Sequence, residues 1–265
     1  MSSPSDSQEM SAGAEEALIP PHFLPKTFTD SRGYTLPYRI LMPDRRPVRD
    51  ETGLHEIDTE RLPLVLLLHG ARERGNDNSA QLRNGVAELL GPEAVASHFP
   101  CFYVVPQCSF EYRWVEVDIE AEHHVIPSTP SMPLSAAVEL IDTLSTSHPI
   151  DPRRIYLIGL SMGGFGVWDL LSRWPERFAA AVPICGGADD DAVVVARAIP
   201  IWAFHGARDP VIRVTRSRRA IKALQLAGGA PHYTEYPKVG HDAWTHAFAE
   251  PHLLPWLFAH HNSTL

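Results

Sequence analysis

Ser161 stands in a sequence that can turn a hydroxyl group into a nucleophile. It is the central residue of Gly159-Leu160-Ser161-Met162-Gly163. The apolar run before this pentapeptide predicts a buried strand over 155–158, and the residues after it predict a helix. In a strand–turn–helix context, small glycines permit a tight turn that holds the serine out above the sheet. The N–H groups at the start of the helix would then favour negative charge that develops beside the serine.

A serine nucleophile needs a general base, and the base needs an acidic group that orients it. In this strand–turn–helix arrangement the chain order is serine, acid, histidine. Asp209 and His241 follow Ser161 in that order. Each comes directly after a predicted strand, at 201–204 and 232–236, and open α/β sheets place their sites at such strand ends. We therefore expect Asp209 to be the acid and His241 the base.

Other residues compete for these two roles. The three aspartates at 189–191 follow a predicted strand at 180–184 and could supply the acid. Aspartates in that position also commonly accept hydrogen bonds from a helix N-terminus, which favours a capping role for them. The chain has 14 histidines, and His241 is the one that combines the required order with a preceding glycine and a strand-end loop.

An ester or amide carbonyl that is attacked by serine needs two N–H donors for its oxygen. The residue after the nucleophile, Met162, should supply one of them. The other should come from the loop after the predicted strand 62–69, where His69-Gly70 ends the apolar run. Gly70 would let the backbone turn, so we expect the second donor to be the amide of Ala71.

The rest of the chain predicts strands and helices in alternation. Further strands are predicted at 35–41 and 102–105. Helices are predicted at 81–90, 133–147, 214–226 and 252–260. This alternation predicts an α/β fold with a mostly parallel central sheet and helices on both faces. The basic segment 213–219 lies within one of these helices and is expected to form a solvated face.

The segment 107–133 interrupts the pattern, because its three prolines and scattered acids fit no single element. A long loop inside a compact domain is usually functional. We expect it to lie over Ser161, with Trp114 as a wall of the substrate pocket; packing of Trp114 against the prolines of its own loop is the alternative. Arg72 could add a positive charge on the other side. The pair His123-His124 is expected in a solvated loop rather than at a metal.

Composition narrows the class of protein. Residues 1–20 are rich in serine, alanine and glutamate and predict a disordered tail, followed by one domain over 21–265. The net charge of −9 argues against nucleic-acid binding, which favours a basic excess. Three cysteines without metal-ligand spacing fit a reducing compartment. The N-terminus predicts no secretory signal and no run predicts a membrane span, so we expect a cytoplasmic protein that does not bind membranes.

Taken together, these segments resemble the α/β-hydrolase superfamily. Within it the chain is similar to a bacterial branch of esterases, often described as predicted peptidases or as phospholipase/carboxylesterases. The resemblance implies that Ser161, Asp209 and His241 form a catalytic triad, with the amides of Ala71 and Met162 as the oxyanion hole. It also implies a small-molecule ester as substrate. The matching segments are 69–78, 104–108, 113–118, 151–187, 202–211 and 233–244.

One departure from the resemblance lies in the segment His69 to Gly75, where many relatives have a glycine and this chain has Arg72. The reaction that we expect is ester hydrolysis through an acyl group on Ser161, which requires no metal or cofactor. Two alternatives stay open: a peptidase or amidase with the same triad, and a catalytically idle binding protein. The oligomeric state stays open as well.

Overall fold

A computed structural model describes residues 22–43, 48–49, 55–56 and 60–264. The tail expected at 1–20 lies outside these residues. The described chain begins with an antiparallel pair, β1 (Leu24–Thr29) and β2 (Thr35–Leu41). Two short strands, β3 (Val48–Arg49) and β4 (His55–Glu56), pair with each other in a separate sheet.

The central sheet has eight strands in the order β1-β2-β6-β5-β7-β8-β9-β10. Strand β2 runs against its two neighbours, and the pairs from β6 to β10 are all parallel. The mostly parallel sheet expected from the sequence is therefore confirmed. The strands that follow β4 are β5 (Leu62–Leu68), β6 (Phe102–Pro106), β7 (Ile150–Leu160), β8 (Ala180–Ile184), β9 (Trp202–Gly206) and β10 (His232–Tyr236).

Helices cover both faces of this sheet. They are α1 (Val86–Leu89), α2 (Pro92–Ser97), α3 (Met132–Ser147), α4 (Met162–Arg173), α5 (Thr215–Leu226), α6 (Ala243–Phe248) and α7 (Leu253–Phe258). Residues of α3, α4 and α5 pack in one core, and residues of α1, α2, α6 and α7 pack in the other. No helix in the described part of the chain is long and apolar enough to span a bilayer.

Strand β5 shows why this sheet is buried on both sides. All seven of its residues are buried. Leu64, Leu66 and Leu68 contribute to the core under α3 to α5, whereas Val65 and Leu67 contribute to the opposite core. Side chains along a strand point alternately to opposite faces, so a continuous apolar run is what a doubly covered parallel strand requires.

The sequence located most elements but not all of them. The strands predicted at 35–41, 180–184 and 232–236 are confirmed with the same bounds. The helix predicted over 81–90 is wrong: a 3₁₀ turn at Ala80–Leu82 is followed by the four residues of α1. Asn84 and Gly85 between them have φ of 61° and 79°, and this left-handed backbone ends a right-handed helix.

The segment between β6 and α3 contains no helix or strand, as predicted, but Trp114 does not form a wall of a pocket. Its side chain is completely buried in the core under α3 to α5. The indole N–H donates to the His69 carbonyl at 3.0 Å, and the indole meets the His69 ring edge to face at 5.2 Å. Trp114 therefore packs against His69 and stabilises the chain that follows β5. This corrects the expectation that it contacts substrate.

We expect the Trp114→Ala variant to lose about 3–5 kcal/mol of unfolding free energy, because it opens a cavity and removes a buried hydrogen bond. Trp114→Phe, which retains most of the apolar volume, should lose less. Urea denaturation followed by circular dichroism measures both. If the alanine variant kept native stability and changed its preference among esters, Trp114 would be a residue of the substrate pocket instead.

Candidate active site

Ser161 lies at the tip of a strained turn between β7 and α4. Its backbone has φ 54° and ψ −117°, a conformation that costs about 1–3 kcal/mol in a residue with a side chain. The turn is held because the Ser161 amide donates to the Ile184 carbonyl of β8 at 2.8 Å. A Cβ at Gly163 would lie 1.9 Å from the Leu68 carbonyl oxygen. Only glycine lets α4 approach β5 this closely.

The structure brings the three residues predicted as nucleophile, base and acid into one chain of hydrogen bonds. The Ser161 Oγ lies 2.9 Å from His241 Nε2. The His241 Nδ1 lies 2.7 Å from Asp209 Oδ2. Since a carboxylate only accepts, Nδ1–H donates to Asp209 and Nε2 is left with a lone pair for the serine proton. The network thus selects the tautomer in which His241 can act as a base towards Ser161.

The Asp209 carboxylate is fully buried, and both of its oxygens have hydrogen-bond donors nearby. Its Oδ1 accepts the amides of Val211 and Ile212 at 2.8 and 2.9 Å. Its Oδ2 lies 2.7 Å from His241 and 3.2 Å from Nε2 of His205. Burial alone would raise the pKa of Asp209, but hydrogen bonds from His205 and His241 and from the Ile212 amide lower the pKa well below its ordinary value. The carboxyl group is therefore ionised.

His205 is a site residue that the sequence reasoning missed. It is completely buried at the end of β9. One ring nitrogen lies 2.7 Å from the Ser217 Oγ, and the other lies 2.9 Å from the Ile212 carbonyl, on the side of Asp209. The signal was available in the sequence, because His205 comes four residues before Asp209 at the end of an apolar strand.

The two amides predicted as oxyanion donors begin neighbouring helices. Ala71 is the first residue of a 3₁₀ turn at Ala71–Glu73, and Met162 is the first residue of α4. The first N–H groups of a helix have no partner within their own helix. These helices follow β5 and β7, which are adjacent in the sheet. Both amides are therefore available at the sheet edge where Ser161 lies.

His69 connects the chain after β5 to the chain after β6. Its Nδ1 donates to the Gly70 carbonyl at 2.6 Å, and its Nε2 accepts the Cys108 amide at 3.0 Å. This second bond requires a lone pair on Nε2, so the ring must be neutral. Complete burial lowers the pKa of His69 to about 4. The neutral His69 ring therefore fixes the turn that carries Ala71 through these two hydrogen bonds.

The other candidate acids are engaged elsewhere. Asp189 accepts the amides of Asp191 and Ala192 at 3.1 and 3.2 Å and the amide of Ile126 at 3.0 Å. Asp190 forms an ion pair with Arg219. The capping interpretation thus describes Asp189 better than a catalytic role, and Asp209 is the aspartate that meets His241.

Two basic side chains attach the 107–133 segment to the helices beside the site. Arg216, on α5, is buried rather than solvated as expected, and its guanidinium donates to the Ala121 carbonyl and to His124. Burial, followed by the Arg216 charge, lowers the pKa of His124 to about 4. Arg173, on α4, donates to the Pro127 carbonyl at 2.6 Å. The segment is thus held against α4 and α5.

Arg72 lies beside this arrangement as an exposed side chain. It forms no hydrogen bond or ion pair with the residues that the structure describes. Because Arg72 follows Ala71 directly in the sequence, its side chain could contact a substrate whose carbonyl oxygen binds the Ala71 amide. A role in substrate binding stays a prediction.

Among the residues that the structure describes, Cys185, His205 and Asp209 form a group that could hold a metal, since one ligand-type atom of each lies within 4.8 Å of the others. All three atoms already have hydrogen-bonding partners. The Cys185 thiol donates to the His241 carbonyl at 3.4 Å, and burial raises the pKa of this thiol, whereas a metal binds the thiolate. We assign these residues to hydrogen bonding, and the expectation that no metal is needed stays a prediction.

The buried neutral His69 predicts that the protein loses stability in acid. Its pKa of about 4 in the folded state lies below the ~6.5 of an unfolded histidine. Between these values the unfolded state binds one more proton, so the unfolding free energy falls as pH falls from ~6.5 to about 4, by about 3 kcal/mol in total. Urea denaturation at several pH values should show a smaller slope for His69→Gln. Equal slopes would contradict a neutral buried ring.

Comparison with known proteins shows which family this chain resembles. The family described as Phospholipase/Carboxylesterase matches residues 55–250. A solved structure of a thermostable esterase is similar with a TM-score of 0.81 and 38% identity, over 92% of this chain and 64% of that one.

Two curated proteins are also similar. A poly(3-hydroxyalkanoate) depolymerase C of Paucimonas lemoignei is 41% identical over 49 residues, which are 18% of this chain and 12% of the depolymerase. A probable carboxylesterase SOBER1-like of Arabidopsis thaliana is 24% identical over 75% of this chain and 79% of its own length. The chain thus spans less than two thirds of the depolymerase and of the esterase structure. It belongs to the phospholipase/carboxylesterase family and has the α/β-hydrolase fold of that family.

Proposed function

We propose that this protein hydrolyses carboxylic esters through an acyl-enzyme on Ser161. The observation that carries the proposal is the continuous hydrogen-bonded chain from Ser161 through His241 to the ionised Asp209, with distances of 2.9 and 2.7 Å. This chain supplies a nucleophile, a base in the correct tautomer and a buried negative charge. Membership of a carboxylesterase family supports the same reaction.

In the first half of the reaction, His241 Nε2 takes the proton of the Ser161 hydroxyl while Oγ attacks the ester carbonyl. The carbonyl oxygen gains negative charge and accepts hydrogen bonds from the amides of Ala71 and Met162. Asp209 stabilises the imidazolium that has formed. His241 then gives its proton to the leaving alcohol, and the acyl group stays on Ser161.

In the second half, His241 takes a proton from water, and the resulting hydroxide attacks the acyl carbonyl. The same two amides bind the oxygen a second time. Collapse of this intermediate breaks the bond to Ser161, and His241 returns the proton to Oγ. The acid is released and the enzyme is restored, so every bond and proton is balanced without a metal or a redox group.

The substrate that we propose is a small-molecule ester, with Arg72 as an exposed positive charge beside the oxyanion side of the site. We further propose a cytoplasmic location. All three cysteines are free, buried thiols, which suits a reducing compartment. We propose no nucleic-acid partner, because the chain carries a net charge of −9.

Ser161→Ala removes the covalent route and should lower kcat by about 10⁶-fold on an aryl ester, with an unchanged circular dichroism spectrum. The wild type should be labelled by a fluorophosphonate and the variant should not. Turnover by the variant within tenfold of the wild type would contradict the proposal. Comparison of an aryl ester with the matching peptide anilide tests the amidase alternative.

Asp209→Asn should lower kcat by about 10⁴-fold, because an amide favours the wrong tautomer of His241. The control is Asp190→Asn, which makes the same change at an aspartate that pairs with Arg219 on the protein surface. Steady-state kinetics of both variants on one ester separates the two positions. A larger loss at position 190 would assign the acid to the chain after β8.

A further inference from the structure

A cavity of about 420 Å³ lies between α1 and α6, on the face of the sheet opposite α4 and α5. The side chains that decide its chemistry are Asn84, Glu88, Trp244, Thr245 and Phe248. Gly85 in its wall has a positive φ, and a Cβ there would lie 3.3 Å from the Phe248 ring. This part of the molecule has no role in the reaction as derived above.

One wall of the cavity touches the catalytic base, and the other wall contacts Glu73 in the turn that carries Ala71. On one side the Trp244 ring meets the ring of His241 edge to face, with centroids 5.2 Å apart. On the other side the Asn84 amide group donates to Oε1 of Glu73 at 2.8 Å. A Cβ at Gly70 would lie 2.8 Å from the second oxygen of Glu73 and 3.6 Å from the Ser161 Cβ. A group in the cavity would therefore lie beside Trp244, which touches the base His241.

The Glu88 carboxylate is the charged group among the described residues that line the cavity. Glu88 is exposed and forms no hydrogen bond or ion pair with any residue that the structure describes. The Asn84 amide donates one hydrogen bond to Glu73, and like the Thr245 hydroxyl it carries no charge. Among the described residues that line the cavity none is basic. Such a lining repels an anionic group and attracts a cationic one.

The aromatic side chains favour the same ligand. Trp244 and Phe248 are half-buried, so part of each ring can face the cavity. The face of an aromatic ring carries negative charge and attracts ammonium groups, tryptophan most strongly. A carboxylate beside two aromatic rings can therefore bind a cation that carries apolar substituents, such as a quaternary ammonium group.

We propose that this cavity is a substrate subsite for a cationic group, and that esters bearing an ammonium or quaternary ammonium substituent are preferred substrates. The inference rests on the proposed ester hydrolysis at Ser161. The ammonium group sits against the Glu88 carboxylate and the Trp244 ring, while the ester carbonyl lies between Ser161 Oγ and the two oxyanion amides.

The test compares two esters of equal size that differ in charge: acetylcholine and 3,3-dimethylbutyl acetate. Each kcat/KM is divided by the rate of that ester with hydroxide, which removes the difference in intrinsic reactivity. The wild type should prefer acetylcholine by about 3- to 10-fold at low salt, the range expected for an exposed ion pair and a cation–π contact together. The preference should decline as salt is added, because salt screens exposed charges.

The variant is Glu88→Gln, which keeps the size of the side chain and removes its charge. It should lower the preference for acetylcholine about threefold while leaving kcat/KM for the neutral ester unchanged. Glu93→Gln is the matched control, since Glu93 is an exposed acid on the next helix that does not line the cavity. It should retain the wild-type preference.

Several results would overturn the inference. These are equal normalised kcat/KM for the two esters in the wild type, equal effects of Glu88→Gln on both, or the same loss of preference in Glu93→Gln. A stronger preference for the neutral polyol ester glycerol monoacetate than for acetylcholine would also overturn it. Hydrolysis of the neutral ester with no charge preference rejects the subsite alone. Failure to hydrolyse any ester rejects the proposed function itself.

Discussion

The buried negative charge of Asp209 is the interaction on which the site depends. Burial of a carboxylate costs several kcal/mol unless donors replace the lost water. Here two amides of its own turn and two imidazoles, from His205 and His241, replace it. These donors come from β9, from the loop that follows β9 and from the chain after β10. The charge therefore fixes the relative positions of two loops, and the position of His241 towards Ser161 follows from it.

The parallel sheet supplies the second constraint. Strands β5, β7, β8 and β9 are consecutive neighbours in the sheet, so their carboxyl ends form one edge. The chain leaves β5 towards Ala71, β7 towards Ser161 and β9 towards Asp209. The strained backbone of Ser161 persists because its amide is bonded to β8 and because α4 is pressed against β5. Strain at the nucleophile is thus balanced by packing of elements that are far apart in the sequence.

The sequence was sufficient where a role depends on chain order and strand ends. Ser161, Asp209 and His241 could be selected because each follows an apolar run, and such runs mark the buried parallel strands. Trp114 was placed wrongly because a loop sequence does not specify which face of the loop meets the core. Arg216 was expected to be solvated because helical spacing gives a face but not what covers it. His205 was overlooked because its partner Ser217 becomes a neighbour only in the folded chain, although Asp209 lies only four residues away in the sequence.

The surroundings of Ser161 differ between the two faces of the sheet: one face carries a fixed wall, and the other carries an open cavity. On the face of α4 and α5 the 107–133 segment is held in place by Arg173 and Arg216, through bonds to backbone carbonyls. The buried Arg216 guanidinium is costly to detach from its partners, so this wall resists rearrangement around a substrate. On the opposite face the site adjoins the open, acidic cavity between α1 and α6. A bulky or charged substituent of an ester therefore has room on the side of His241, which is where the leaving alcohol must receive its proton.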